Sequence, residues 1–202
     1  MTQHSFLGNR DGAVMAEFAL AGIFMIMLMM SVIELTSALW AWNSEAKAVQ
    51  IGARLAAVSA PVSSDLATMT GLEGGATPGA AMPYFIRVCN GATSTCSGGS
   101  YSAAAMNWIV RGSDGVCGST TGVRGICDLY PRIQPQNIVI TYEQTGLGFA
   151  GRPGGPVPSI TVKVQNLQFS TPVLGIFSGV ANLTMPPVQT TVSGEDLRST
   201  SP

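Results

Sequence analysis

The sequence predicts an α+β protein: a long N-terminal helix, half transmembrane and half exposed and amphipathic, followed by a small antiparallel β-rich domain that contains disulfides. Three observations predict it. A nearly uncharged apolar run fills residues 13–33, an apolar stripe with helical spacing continues after it, and all four cysteines lie beyond residue 88 in a remainder rich in Gly, Ser and Thr. The expected organisation is 1–12 leader, 13–33 membrane helix, 34–59 continuing amphipathic helix, 60–83 linker or irregular loop, 84–192 β-rich exterior domain and 193–202 flexible tail.

Composition already removes some classes of function. The net charge is -1 with no basic stripe to neutralise phosphates, so nucleic acid is not an expected partner. Charged residues make up 10% of the chain, against about 25% in ordinary soluble proteins. A membrane span and a Gly/Ser/Thr-rich domain account for the deficit.

The apolar run AVMAEFALAGIFMIMLMMSVI, residues 13–33, holds one charge, Glu17. At 1.5 Å per residue it reaches about 31 Å, which matches a hydrocarbon core of about 30 Å. A cleavable secretory signal has a shorter apolar region, about 7–15 residues, and no reason to continue with helical periodicity. The run is therefore expected to be a transmembrane helix.

Glu17 lies four residues inside this run, where an ionised carboxylate costs up to a few kcal/mol. It either snorkels to the nearby interface or finds a cation. A cut after Gly12 would make Ala13 the amino terminus and Glu17 the fifth residue of the mature helix. The new α-amine, with a pKa of about 7.7–8.0, would be mostly cationic at neutral pH. Residues one and five share a helix face, and between staggered neighbouring helices the same two groups would set the register.

Gly12-Ala13 followed by Glu17-Phe18 resembles the processing site of type IV prepilins. The stretch from residue 10 to residue 57 resembles more closely the TadE-like pseudopilins of tight-adherence pilus systems. The matching features are the small residues before Glu17-Phe18, a second acidic residue, Glu34, at the end of the span, and Gly52-Ala53-Arg54. The leader departs from the usual pattern in placing Asp11 after Arg10.

The resemblance implies cleavage after Gly12 by a prepilin peptidase and a minor pilin or pseudopilin role in pilus assembly, initiation or tip. It implies as partners a major pilin, a second minor pilin, an inner-membrane assembly platform and the peptidase. The alternative is a type II secretion-like pseudopilin or an anchored surface adhesin using loops 90–125 and 144–158.

Arg10 and the initiating amine favour a cytoplasmic leader, and the cysteines favour an oxidising exterior for the rest. The expected location is the bacterial inner membrane, single-pass, with the C-terminal domain periplasmic or carried into an extracellular pilus.

Beyond the span, Leu35, Leu39, Trp42, Ala46, Val49, Ala53 and Ala56 recur at alternating fours and threes, with Ser37, Asn43, Glu45, Lys47 and Gln50 on other faces. The stripe either packs on the chain's own domain or forms a seam between subunits, where small residues permit close approach. Gly22, with Ala19 and Ala21, offers a similar surface within the span. The helix is expected to stop before Pro61.

Residues 84–89, 108–111, 137–143 and 159–164 are expected strands, being rich in β-branched and aromatic residues and bounded by turn formers. Residues 172–177 form an apolar loop or short helix, followed by another strand. Four cysteines permit three pairings, and the local one, Cys89 with Cys96 and Cys117 with Cys127, closes the smallest loops.

No catalytic or metal set is expected. The sole histidine, His4, lies in the leader, so Ser-His and Cys-His chemistry has no base in a processed chain. No C-x-x-C exists for zinc. Gly146, Gly148 and Gly151 form G-x-G-x-x-G, but Arg152-Pro153-Gly154-Gly155-Pro156 follows and cannot open the helix a dinucleotide requires. The segment is expected to be a mobile surface loop, and no cofactor is expected.

Overall fold

The computed structural model describes residues 10–179, 181–195 and 197. Most of the expected leader, including His4, and most of the expected tail lie outside these residues. The chain divides into two units, residues 1–40 with 169–183 and residues 41–168 with 184–202. One helix, α1 (Arg10–Val58), runs unbroken for 49 residues. Its Ala, Leu, Met and Glu content favours helix, and the first proline after it is Pro61. Within α1 the hydroxyls of Ser31, Thr36 and Ser37 donate to the carbonyls of Met27, Val32 and Ile33, four residues back, so these polar groups are satisfied inside the helix.

The first unit adds α4 (Pro172–Ser178) to the apolar half of α1. Proline occupies the first turn of α4, where no backbone donor is needed, and Gly179 ends it in the left-handed region at φ 73. Strands β5 (Gln168–Ser170) and β6 (Asn182–Thr184) pair on either side of it in the sequence. The apolar segment at residues 172–177 is thus a helix.

The second unit is a five-stranded antiparallel sheet in the order β2-β1-β3-β4-β7. The strands are β1 (Ile86–Asn90), β2 (Thr95–Cys96), β3 (Ile138–Glu143), β4 (Ser159–Val164) and β7 (Val188–Ser193). Alternation fixes its faces: Ile138, Ile140, Tyr142, Ile160, Val162 and Val164 are buried, while their neighbours in sequence are half-exposed. The Tyr142 hydroxyl accepts the Val62 N–H at 3.0 Å, tying the chain just after α1 to the middle of the sheet. Burial pushes the Tyr142 phenol up, so it remains a neutral hydrogen-bonding group.

The second half of α1 buries Ala41, Glu45, Ala48, Val49, Gly52, Ala53 and Ala56, a stripe at 3.6-residue spacing. A Cβ on Gly52 would lie 2.4 Å from Cδ1 of Ile126 and 3.7 Å from Cγ2 of Ile109. Helices α2 (Ala103–Arg111) and α3 (Ile126–Leu129) therefore press against the α1 backbone, where a larger residue would force Ile126 to shift. Both expected disulfides are present. Cys89–Cys96 joins directly opposed residues of β1 and β2, and Cys117–Cys127 closes the loop leading into α3.

The structure corrects three expectations and decides a fourth. Residues 108–111 are the end of α2, not a strand. Ser102 caps the helix by accepting the Ala105 N–H, three alanines start it, and Met106, Ile109 and Val110 share its buried face. Local β-propensity at Trp108-Ile109-Val110 is overridden by this cap and face.

Residues 60–83 are the irregular loop of the two expected alternatives and not a flexible linker, since Val62, Ser63, Leu66 and Met82 are buried and Ser64–Ala67 forms a 3-10 turn. The loop around Gly146–Gly151 is pinned in turn. Ala150 is buried and exchanges backbone hydrogen bonds with Gly79 and Ala80, and the Gly151 N–H donates to Thr70. A mobile loop would leave those groups to water. Lastly, the expected flexible tail begins within β7, whose last residue is Ser193. The N–H groups of Gly194 and Glu195 donate to Pro158 and Ala57, and Leu197 is fully buried.

Candidate functional site

The residues singled out in the sequence lie along α1, and its two halves behave differently. From Gly12 to Leu20 every residue is exposed, including Phe18 at 78% and Met15 at 74%. α1 is long and apolar enough to cross a membrane, and none of its most apolar window is buried. Such a helix, apolar on all sides and uncovered by its own chain, requires lipid or partner helices around it. Its length and composition suggest a membrane anchor.

Gly12, Ala13, Glu17 and Phe18 all lie within this helix, with Ala13 and Glu17 one turn apart on the same face. A Cβ at Gly12 would meet nothing within 4 Å, and the same is true of Gly22. Among the described residues, packing therefore demands glycine at neither place, although glycine inside a helix costs about 0.5–1 kcal/mol relative to alanine. Gly52, where a Cβ would meet the Ile126 side chain, is the contrast.

Glu34 has a role that its sequence position did not reveal. Its Oε1 accepts the Val173 N–H at 2.6 Å, so the carboxylate caps the first turn of α4 within the first unit. A carboxylate suits this position because the first backbone donors of a helix have no internal partners.

The expected seam divides. Val49 and Ala53 are buried in the second unit and Ala46 is half-buried, whereas Leu35, Leu39 and Trp42 are about half or more exposed. Trp42, Asn43 and Ala46 line an open cleft of about 370 Å³ together with Pro187, Val188 and Gln189. The face that packs shares Val49 and Ala53 with the expected stripe and is completed by Ala41, Ala48 and Gly52, which lie to one side of it.

That sideways shift brings in Glu45, which the sequence placed on a polar face. Glu45 is 1% exposed, its Oε2 has no hydrogen-bond partner among the described residues, and burial pushes its carboxyl up to about 7. The available signal was the small-residue run Ala41, Ala48 and Gly52 at helical spacing from Glu45. A stripe defined by large apolar residues misses it.

A second feature lies in residues 63–87. A cleft of about 430 Å³ is bordered by Asp65, Glu73, Met82, Tyr84 and Arg87. Its charges are already engaged: Arg87 Nε donates to Asp65 Oδ2 at 2.8 Å, and Asp65 Oδ1 accepts the Ser63 hydroxyl. Glu73 Oε1 accepts both the N–H and the hydroxyl of Thr70, which hold its carboxyl down at about 2. These bonds brace the segment that was expected to be a linker. Among the described residues, no group of three or more His, Cys, Asp or Glu is placed to hold a metal ion.

A family model described as TadE-like protein matches residues 12–54. The match is consistent with a TadE-like protein of the tight-adherence pilus system, and it spans the apolar helix from Gly12 to Arg54. No curated protein and no solved structure matches the chain.

Proposed function

We propose that this chain is a membrane-anchored minor pilin or pseudopilin that is cut between Gly12 and Ala13 and takes part in assembling a tight-adherence pilus. One observation carries the reading: the family match begins at Gly12, a glycine that no packing among the described residues requires, five residues before the carboxylate of Glu17. Glycine at a position with no packing demand is accounted for if an enzyme must recognise the backbone there.

In this reading the cut creates the Ala13 amine, and Glu17 neutralises such an amine on a neighbouring subunit as the helix enters the assembly. The inner membrane holds the span, the exterior domain faces the oxidising side where its disulfides persist, and the role is structural and not catalytic. The major pilin, a second minor pilin, the assembly platform and the prepilin peptidase are the partners it would meet.

The first test is the mature terminus in the native host, measured by mass spectrometry. Ala13 is expected, and any other terminus rejects the processing step. The second is Glu17→Gln, expected to insert and to be cut normally but to reduce piliation at least tenfold. Normal piliation in that variant rejects the register role.

A further inference from the structure

We propose that the β5–α4–β6 excursion is a second membrane contact of this chain, lying in the headgroup layer where the α1 span ends and setting the Ile176 side chain against the lipid acyl chains. The proposal concerns the first unit alone and rests on the membrane anchoring proposed above.

Depth along α1 follows from its charges. Between Phe18 and Ser44 the only charged residue is Glu34. With residues 13–33 filling the hydrocarbon core, Glu34 stands at its outer boundary, and the headgroup layer beyond is about 5–8 Å thick. Glu34 Oε1 accepts the Val173 N–H at 2.6 Å, which brings the first turn of α4 to the same level. Ile176 lies three residues further along α4, about 4.5 Å of helix rise, so it stays within about one turn of the boundary whichever way α4 points.

The surface placed there is apolar and uncovered by the chain. Ile176 is 78% exposed, and β6 is exposed at all three of its residues, Leu183 among them. On α1, Leu35, Leu39 and Trp40 are half or more exposed over the two turns that follow Glu34. Tryptophan is enriched in the layer where a span meets water. Strands β5 and β6 pair only with each other among the described residues, and a two-stranded ribbon is at best marginally stable in water. The excursion therefore needs a cover.

Charge identifies that cover as lipid. No Asp, Glu, Lys or Arg lies between Lys163 and Glu195, although 10% of the whole chain is charged. Charges are costly at the acyl boundary, and the one that α1 places there, Glu34, accepts a backbone donor from α4. With no cation in the segment, the contact is apolar insertion and not attraction to anionic headgroups. A single span is surrounded by lipid at this depth, so lipid is the occupant always within reach of α4.

The test uses the full chain in phosphatidylcholine nanodiscs, deuterated except for its isoleucine δ1 methyls. It reads nuclear Overhauser transfer from the lipid acyl methylene protons, which requires contact. Ile26, exposed on the span, reports anchoring. Ile176 is expected to receive transfer at least about a third as strong as that at Ile26, and replacing half of the lipid by phosphatidylglycerol should change the ratio less than about twofold.

Transfer at Ile26 with only water transfer at Ile176 overturns the proposal and leaves the anchor standing. No transfer at Ile26 rejects the anchoring itself, and the proposal with it. A signal at Ile176 that requires phosphatidylglycerol overturns apolar insertion in favour of headgroup attraction. Transfer to Ile176 from the protons of an unlabelled second copy, in place of lipid, identifies a subunit contact and likewise overturns the proposal.

Discussion

Replacing Glu45 by Gln should flatten the pH dependence of stability between about pH 4.5 and 7. The carboxyl is 1% exposed, one oxygen is unpartnered among the described residues, and the folded chain holds its proton up to about pH 7 instead of releasing it near the ordinary 4.5. Because the folded value is raised, the contribution is complete below pH 4.5 and is lost as pH rises to 7. At about 1.4 kcal/mol per pH unit, the difference corresponds to roughly 3 kcal/mol. For a chain of this size that is about 6–12 °C in Tm.

Thermal unfolding of the full chain in detergent, followed by near-UV circular dichroism at pH 4.5 and pH 8, reads it. The parent should lose about that much more than Glu45→Gln between the two conditions. The diagnostic is the difference in slope, since glutamine brings amide donors that are equally unpartnered and lowers stability at both pH values by about 1–3 kcal/mol. Parallel slopes would refute the assignment of a neutral, buried carboxyl.

Two further predictions concern packing and crosslinks. Gly52→Ala should destabilise the protein by about 0–2 kcal/mol, because overpacking against Ile126 of about 1–3 kcal/mol outweighs a helix-propensity gain of about 1 kcal/mol, whereas Gly22→Ala should not destabilise the isolated chain. Denaturant titration of both variants compares them, and equal shifts would contradict the close approach of α1 to α3. Replacing Cys117 and Cys127 together by Ser should remove roughly 2–4 kcal/mol, read from the midpoint of the same titration under non-reducing conditions.

Legibility followed how local the determining forces were. Residues 159–164 could be read because ITVKV alternates and one face of the sheet is buried, so pattern and outcome share one cause. The local disulfides were readable for a similar reason, since short loops close at low entropic cost. Trp108-Ile109-Val110 misled because its strand-like residues lie on a helix decided by Ser102 and by packing under α1. Val62 and Met82 were hidden in a Gly/Ser-rich stretch that composition marks as loose, although a few apolar anchors are enough to fix it.

The place of β7 at the end of the sheet had no sequence signal, because it depends on which strand happens to pair with β4. The motif Gly12-Ala13 with Glu17-Phe18 is plain in the sequence, while the cation that the proposed cut would supply for Glu17 has no residue of its own there.

The contrast among the stripe residues leads to a separation that mutagenesis can make. Val49 is buried by the chain's own domain, so Val49→Ala should cost about 2 kcal/mol of stability and reduce function only through folding. Leu39 is half-exposed, so Leu39→Ala should change stability by no more than about 0.5 kcal/mol. If residues 35–42 form the subunit seam, piliation should fall in Leu39→Ala while its unfolding midpoint stays at the parental value. Val49→Ala should show the reverse order, a lowered midpoint with piliation restored at reduced temperature. Because the first half of α1 leaves its apolar surface uncovered and the second half spends its own on the domain, the two variants cannot exchange behaviour unless α1 is buried differently from the arrangement described. A normal pilus with Leu39→Ala would move the seam into the membrane span, onto Gly22 and its neighbours.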